Sequence, residues 1–258
     1  MSVFDRLRLD GKRALVTGGS RGLGREMALA FASAGADLVL VGRTRESLDK
    51  TAADIRALGR DVATVVADMG DPPVCEAACQ AALATGQIDI LVNNVGSRQV
   101  AEPIESASLE TWRRLIDFNL TSCFLATKLI GGPMLQRGWG RIINIASMSA
   151  WVVLPGIGGR HYEAAKAAVL QFTRATASDW ASRGVTVNAI CPGLFMTEPN
   201  QRWKREKPEM MQTFLDAIPV GDAGAPEDLG PLAVYLASEA SRYMTGAALV
   251  IDGGYTLR

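Results

Sequence analysis

Short apolar runs alternate along this chain with longer stretches in which apolar residues recur at helical spacing. The runs are "RALVT" (13–17), "ADLVLV" (36–41), "VATVVA" (62–67), "DILVN" (89–93), "RIINIA" (141–146), "VTVNAI" (185–190) and "ALVID" (248–252). They show little polar alternation and are rich in β-branched residues or leucine, the pattern of strands covered on both faces. Helix-length stretches lie between them, at 22–34, 45–58, 108–130, 161–183 and 226–238. The last opens on Pro226-Glu227-Asp228, a proline in the first turn with acids at the positive end of the helix dipole.

Strands and helices in alternation, joined by right-handed crossovers, predict an α/β fold: a doubly wound, seven-stranded parallel sheet with helices on both faces. The Gly/Pro clusters at 131–133 and 155–159 are expected to be loops. No linker or repeat divides the chain, so residues 1–258 are expected to form one domain. Ligands of such a sheet bind beyond the carboxyl ends of its strands, which makes the residues just after each strand the candidates.

Composition changes this picture by exclusion. Lys plus Arg and Asp plus Glu are 27 each, so no net field draws in nucleic acid. No apolar window approaches the roughly 20 residues of a membrane helix. The opening "MSVFDRLRLDGKR" lacks the apolar run of a signal peptide, so a cytoplasmic location is expected. Cys75, Cys79, Cys123 and Cys191 form no CxxC pair and are expected to be buried free thiols, with no metal site. His161 is the one histidine, which leaves a Ser-His-Asp triad or a His-rich metal centre little to be built from.

The end of the first run reads "TGGSRGLG" (17–24), a strand-to-helix turn with Gly18, Gly22 and Gly24. Glycine permits positive φ and close approach, and the free N–H groups of a helix start suit a phosphate. The spacing is GxxxGxG, not the common GxGxxG. At the end of the second run, where an NAD-binding chain commonly carries an acid, stand Gly42 and Arg43. Arg43, with Arg21 from the turn, suits a 2′-phosphate and favours NADP(H), with NAD(H) left open. Further on, "HYEAAKAAVLQF" places Tyr162 and Lys166 at i and i+4, on one helix face. A cation near a phenol favours the phenolate, and such a phenol suits acid/base work on an alcohol/ketone pair. Ser147 ends "INIAS" just upstream, and Asn119 is a polar residue inside an apolar helical stretch.

With "TGGSRGLG", Asp68, "NNVG" (93–96), Asn119, Ser147, "YEAAK", "PGLFMT" (192–197) and "DGG" (252–254) in this order, the chain resembles the short-chain dehydrogenase/reductase family over essentially its whole length. The resemblance implies a Rossmann sheet and a tetrad of Asn119, Ser147, Tyr162 and Lys166. Tyr162 would exchange a proton with the substrate oxygen and Ser147 would orient that oxygen. Lys166 would hold the nicotinamide ribose and lower the Tyr162 pKa, and Asn119 would anchor a relaying water. It also implies Asp68 at the adenine, Asn93 supporting the central strand and Thr197 at the nicotinamide amide or phosphates. Ser20, Leu23, Met69, Asn94, Pro192 and Gly193 complete the implied cofactor surface.

Three departures stand out. Val95 replaces the alanine of "NNAG" and brings two methyls near the cofactor. The interval from Ser147 to Tyr162 is about two residues longer than usual, so Ser149 is an alternative to Ser147; the loop "WVVLPGIGGR" takes up the extra length and carries Trp151, a candidate pocket residue. His161 precedes Tyr162, either as a helix-start polar residue or lining the pocket.

By the same resemblance, residues 198–219 form a lid over the substrate. The lid carries Arg202, Lys204, Arg205 and Lys207 against Glu198, Glu206 and Glu209, and Arg98 borders the site. These basic residues fit an anionic substrate such as a sugar acid, and equally a solvated face. "NNVGSRQ", "INIASM" and "PGLFMTE" look most like the gluconate 5-dehydrogenase branch of the family. A 3-oxoacyl reductase and a non-catalytic NADP(H)-binding sensor are the alternatives, and a homotetramer is the expected assembly.

Overall fold

The computed structural model describes residues 2–154 and 157–257. Seven strands form one sheet: β1 (Arg13–Thr17), β2 (Asp37–Gly42), β3 (Val62–Val66), β4 (Ile90–Asn93), β5 (Gly140–Ile145), β6 (Val185–Pro192) and β7 (Ala248–Ile251). Every pairing is parallel and the order is β3-β2-β1-β4-β5-β6-β7. The chain winds outward from β1 to β3, then returns to lay β4 against the other side of β1. The carboxyl ends of β1 and β4 therefore flank the switch point, where a crevice opens between helices that leave in opposite directions.

Side chains alternate across each strand, and the two sets enter two different cores. Ala14 and Val16 of β1 and Leu38 and Leu40 of β2 join one core with Met27 and Phe31 of α1 (Gly22–Ser33) and Leu229 and Leu236 of α9 (Leu229–Ala237). Leu15, Val39 and Val41 join the other with Cys75 and Cys79 of α3 (Pro72–Ala84) and Leu125 and Ile130 of α5 (Ser122–Arg137). Helices on both faces explain why the strands read as uninterrupted apolar runs. All four cysteines are buried free thiols.

The expected loop at 131–133 is instead the interior of α5, with Pro133 inside the helix. Gly131 is there for close packing, since a Cβ at that position would overlap the ring of Trp180. The helix ends only at Gly138, with φ +70°. In the cluster at 155–159, Pro155 and Gly156 lie outside the described residues, and Gly159, at φ +88°, caps α6 (Arg160–Trp180). The helix expected over 108–130 is two helices, α4 (Leu109–Ile116) and α5, joined by one π turn over Asp117–Thr121. The remaining helices are α2 (Arg45–Ala57), α7 (Glu198–Glu206) and α8 (Pro208–Asp216). No described helix is long and apolar enough to cross a membrane.

Candidate active site

A cleft of about 880 Å³ runs along the carboxyl ends of the strands. At one end lies the β1–α1 turn. Gly18 and Gly22 adopt φ +67° and +55°, the left-handed region that glycine enters at least cost. Gly24 is required for a different reason: a Cβ there would overlap the Gly18 carbonyl and crowd the Asn94 amide. Asn94 Nδ2 donates to the carbonyls of Thr17 and Gly18 at 3.0 and 3.2 Å, so the end of β4 holds the turn in shape. Ser20, Arg21, Leu23, Arg43, Asp68 and Met69 line the same end. Arg21 lies 3.5 Å from Glu198 and Arg43 lies 4.0 Å from Asp68, both pairs exposed.

The middle of the cleft is built by β4, β5, β6 and α6. Asn93 Nδ2 donates to Thr127 Oγ1 and Asn144 Oδ1 at 3.0 and 2.8 Å, pinning β4 to β5 from within. Beyond β5, Ser147 caps a short turn: its Oγ accepts from the Ser149 N–H at 3.0 Å. Both serines line the cleft, and it is the Ser147 hydroxyl that bears on Tyr162. Burial holds the Tyr162 phenol above its ordinary range, with the Ser147 hydrogen bond and the Arg98 charge drawing it back and the Glu163 charge pushing it up. Lys166 lies over the same ring, one helical turn on in α6. Lys166 Nζ is 5.7 Å from the ring centre, and burial pushes the ammonium itself down to about 8.

Asn119 lies behind this surface and does not line the cleft. It sits in the π turn, and its Nδ2 donates to Ser97 O and Leu115 O at 3.1 and 2.9 Å. Its Oδ1 is buried and has no partner among the described residues. A Cβ on Gly96, which has φ +156°, would press on both Asn119 Oδ1 and Lys166 Nζ, at 2.8 and 2.7 Å. The two polar groups thus border one small gap, and the extra residue of the π turn aims the asparagine into it.

Pro192, Gly193 and Thr197 line the far wall, and Val95 lies on the floor. Residues 198–219 form a helical hairpin, α7 and α8, of whose bases Arg202 and Lys207 reach the cleft. Arg98 also lines it; Trp151 and His161 do not. Trp151 is 56% exposed, and His161 is buried with Nε2 3.1 Å from the Arg98 carbonyl oxygen. The hairpin also brings an apolar lining to the cleft that the charge pattern of 198–219 hides in the sequence. Trp203 of α7 and Met210 and Phe214 of α8 supply it, on two helices that break at Lys207, so no single helical period marks them in the sequence.

Residues 18–256 match the family model described as enoyl-(acyl carrier protein) reductase. The chain is 41% identical to the galactitol 2-dehydrogenase (L-tagatose-forming) of Cereibacter sphaeroides, with 97% of each chain covered. It is 37% identical to the gluconate 5-dehydrogenase of Gluconobacter oxydans, covering 100% of this chain and 99% of the relative. Among solved structures, one described as an NAD(P)-dependent gluconate 5-dehydrogenase from Beutenbergia cavernae, with NADP bound at low occupancy, superposes with a TM-score of 0.92. The two are 37% identical over 98% of this chain and 100% of that one.

Proposed function

This chain belongs to the short-chain dehydrogenase/reductase family, and on that premise we propose that it is an oxidoreductase. It moves a hydride between NADP(H) and a secondary carbinol or ketone on a polyhydroxylated chain, a sugar alcohol or a sugar acid. The observation that carries this reading is that one cleft joins the glycine turn to Ser147, Tyr162 and Lys166. The names of the galactitol and gluconate enzymes support the substrate class.

The residues fit a dinucleotide phosphate. Gly18 and Gly22 open the turn at the N-terminus of α1, where free N–H groups meet a diphosphate. Gly42 and Arg43, and not an acid, stand at the end of β2, so nothing there repels a 2′-phosphate. Among the described residues Arg21 and Arg43 pair with Glu198 and Asp68, in exposed and loose pairs that a phosphate would displace. Tyr162 and Lys166 would hold the nicotinamide ribose, Asp68 and Met69 the adenine side, and Pro192, Gly193 and Thr197 the amide side. When bound, the nicotinamide gives or takes the hydride at the reacting carbon.

The chain's own residues handle the proton. Ser147 Oγ orients the substrate oxygen and Tyr162 is the group that protonates or deprotonates it. A phenol held above its ordinary range by burial is protonated at neutral pH, which suits reduction. Oxidation needs the phenolate and therefore gains as pH rises. Asn119 Oδ1 and Lys166 Nζ border the gap through which a water would pass the proton onward. We read the chain as one catalytic domain, working in the cytoplasm as a homotetramer. Its buried free thiols support the compartment. The exposed Leu109 and Phe124, on α4 and α5, support the assembly.

The test is nicotinamide absorbance with NADP⁺ and NAD⁺ over galactitol, threitol, gluconate and simple secondary alcohols, with a 3-oxoacyl thioester in the reducing direction. Turnover of a polyol or sugar acid with NADP⁺, lost in Tyr162→Phe while NADP⁺ still binds, is expected. Turnover that survives in Tyr162→Phe would overturn the proton role. Activity on the thioester alone would move the substrate to the acyl class. Tight NADP⁺ binding with no turnover on any compound would favour a sensor.

A further inference from the structure

Two charged side chains beside Tyr162 have no part in the steps above. Arg98 leaves the loop after β4 and lays its guanidinium 4.9 Å from the centre of the Tyr162 ring. Its Nη1 donates to Gly158 O at 2.7 Å and to Glu163 Oε1 at 3.1 Å. Glu163 follows Tyr162 in α6, and Arg160 Nη1 donates to the same oxygen at 2.8 Å. The Arg98 and Glu163 side chains are only 17% and 11% exposed, so water and salt screen their charges weakly. Arg98 Nη2 and Glu163 Oε2 are both buried, with no partner among the described residues. Leaving a buried donor and acceptor unpaired is costly, which singles the pair out from ordinary packing.

The backbone around Arg98 is held as tightly as its side chain. The Arg98 carbonyl accepts from Val100 N at 2.6 Å and meets His161 Nε2 at 3.1 Å. Gln99 between them takes φ +52°, the one positive value at a described non-glycine residue. Strain of this kind is kept where geometry matters. Gly158, Gly159, His161 and Glu163 all reach back to Arg98, so one arginine ties its loop to the start of the helix that carries Tyr162.

The groups facing Tyr162 are Arg98 from the loop after β4, Ser147 from the end of β5, and Glu163 and Lys166 from α6, with His161 next in the chain. Lys166 is the more distant cation from the ring, at 5.7 Å against 4.9 Å for Arg98. We propose that Arg98 and Glu163 are paired positioning residues that set the ionisation of Tyr162, the cation favouring the phenolate and the carboxylate moderating the cation. The proposal rests on the reading of Tyr162 as proton donor and acceptor. The directions in which the two charges act on the phenol agree with it.

The experiment compares wild type with Arg98→Met, Glu163→Gln and the double variant, and uses Arg98→Lys as the charge-conserving control. One readout is the pH dependence of kcat/KM for alcohol oxidation with NADP⁺. The other is tyrosinate absorbance against pH, referenced to Tyr162→Phe, which needs no substrate and stands even if the oxidoreductase reading fails. Charges this close move a pKa by about one unit or more. Arg98→Met is expected to raise the midpoint by about that much, Glu163→Gln to lower it, and the double variant to fall between. Arg98→Lys should stay near wild type. Midpoints that do not move in either single variant while rates fall, or that move the same way in both, would overturn the proposal in favour of a purely structural strut. If Arg98→Met does not fold, Glu163→Gln and Arg98→Lys decide it on the same titration.

Discussion

Lys166 Nζ donates to the carbonyl oxygen of Ile145 at 2.8 Å, tying a buried ammonium to the last residue of β5. Burial pushes this lysine down to about 8 from its ordinary 10.5. Below about pH 8, folded and unfolded chains are both protonated there, and the fold bears the whole cost of the buried cation. Between about 8 and 10.5 the unfolded chain keeps a proton that the folded chain has lost, so this group's contribution to stability rises with pH. The change across that window is on the order of 3 kcal/mol. Urea melts of wild type and Lys166→Met at pH 7 and 9.5 isolate it, because other titrating groups largely cancel between the two proteins. Wild type should gain on the variant at the higher pH, and a difference that stays constant would contradict the buried-cation assignment.

Gly24 and Gly132 predict opposite responses to the same substitution. A Cβ on Gly24 meets the Gly18 carbonyl and the Asn94 amide, neither of which can yield without opening the turn. Gly24→Ala should cost about 1–3 kcal/mol and weaken NADP⁺ binding about tenfold or more. Gly132 is interior to α5 and has nothing within 4 Å of its Cβ position. Gly132→Ala should stabilise by up to about 1 kcal/mol and leave cofactor affinity unchanged. Thermal melts and calorimetric titration separate the two cases.

Arg43 is expected to discriminate between cofactors and not merely to bind one. A charge-assisted hydrogen bond is worth about 1.5–3 kcal/mol. Arg43→Ser should therefore weaken NADP⁺ binding about ten- to a hundredfold while leaving NAD⁺ nearly unaffected. An equal loss for both dinucleotides would place Arg43 on the adenine and not on a 2′-phosphate.

The sheet was legible because burial on both faces writes each strand as a short apolar run; even β6, which extends two residues past "VTVNAI", keeps its start. The glycine turn and the Tyr162/Lys166 face were legible because each depends on local spacing. What was hidden depends on distant partners. The cluster at 131–133 reads as a loop until Trp180, far along the chain, is seen to need the space over Gly131. Asn119 reads as a misfit in a helix, and the π turn that accommodates it carries no local signature. Arg98 reads as a base bordering the site and His161 as a helix-start or pocket residue, and nothing local links the two, which meet across 63 positions of chain at the Arg98 carbonyl.

The α7–α8 hairpin has a support that no local signal connects with it. Phe214 of α8 stacks on Tyr255 near the chain's end, with ring centres 4.9 Å apart, and Trp203 of α7 meets Phe214 edge-on at 6.2 Å. Trp203 and Phe214 line the cleft, whereas Tyr255 does not. Any effect of Tyr255 on the cleft is therefore expected to pass through the hairpin. Aromatic pairs of this geometry are worth about 0.5–1.5 kcal/mol, so Tyr255→Ala should raise the substrate KM about two- to tenfold. The proton-transfer machinery is untouched by this change, so the pH midpoint of kcat/KM should not move. Tyr255→Phe keeps the ring and should keep the KM. Steady-state kinetics on all three proteins test this: if KM in Tyr255→Ala equals that of wild type, the hairpin is held closed by its own packing of Met211, Leu215 and Ile218 and not by the C-terminal ring.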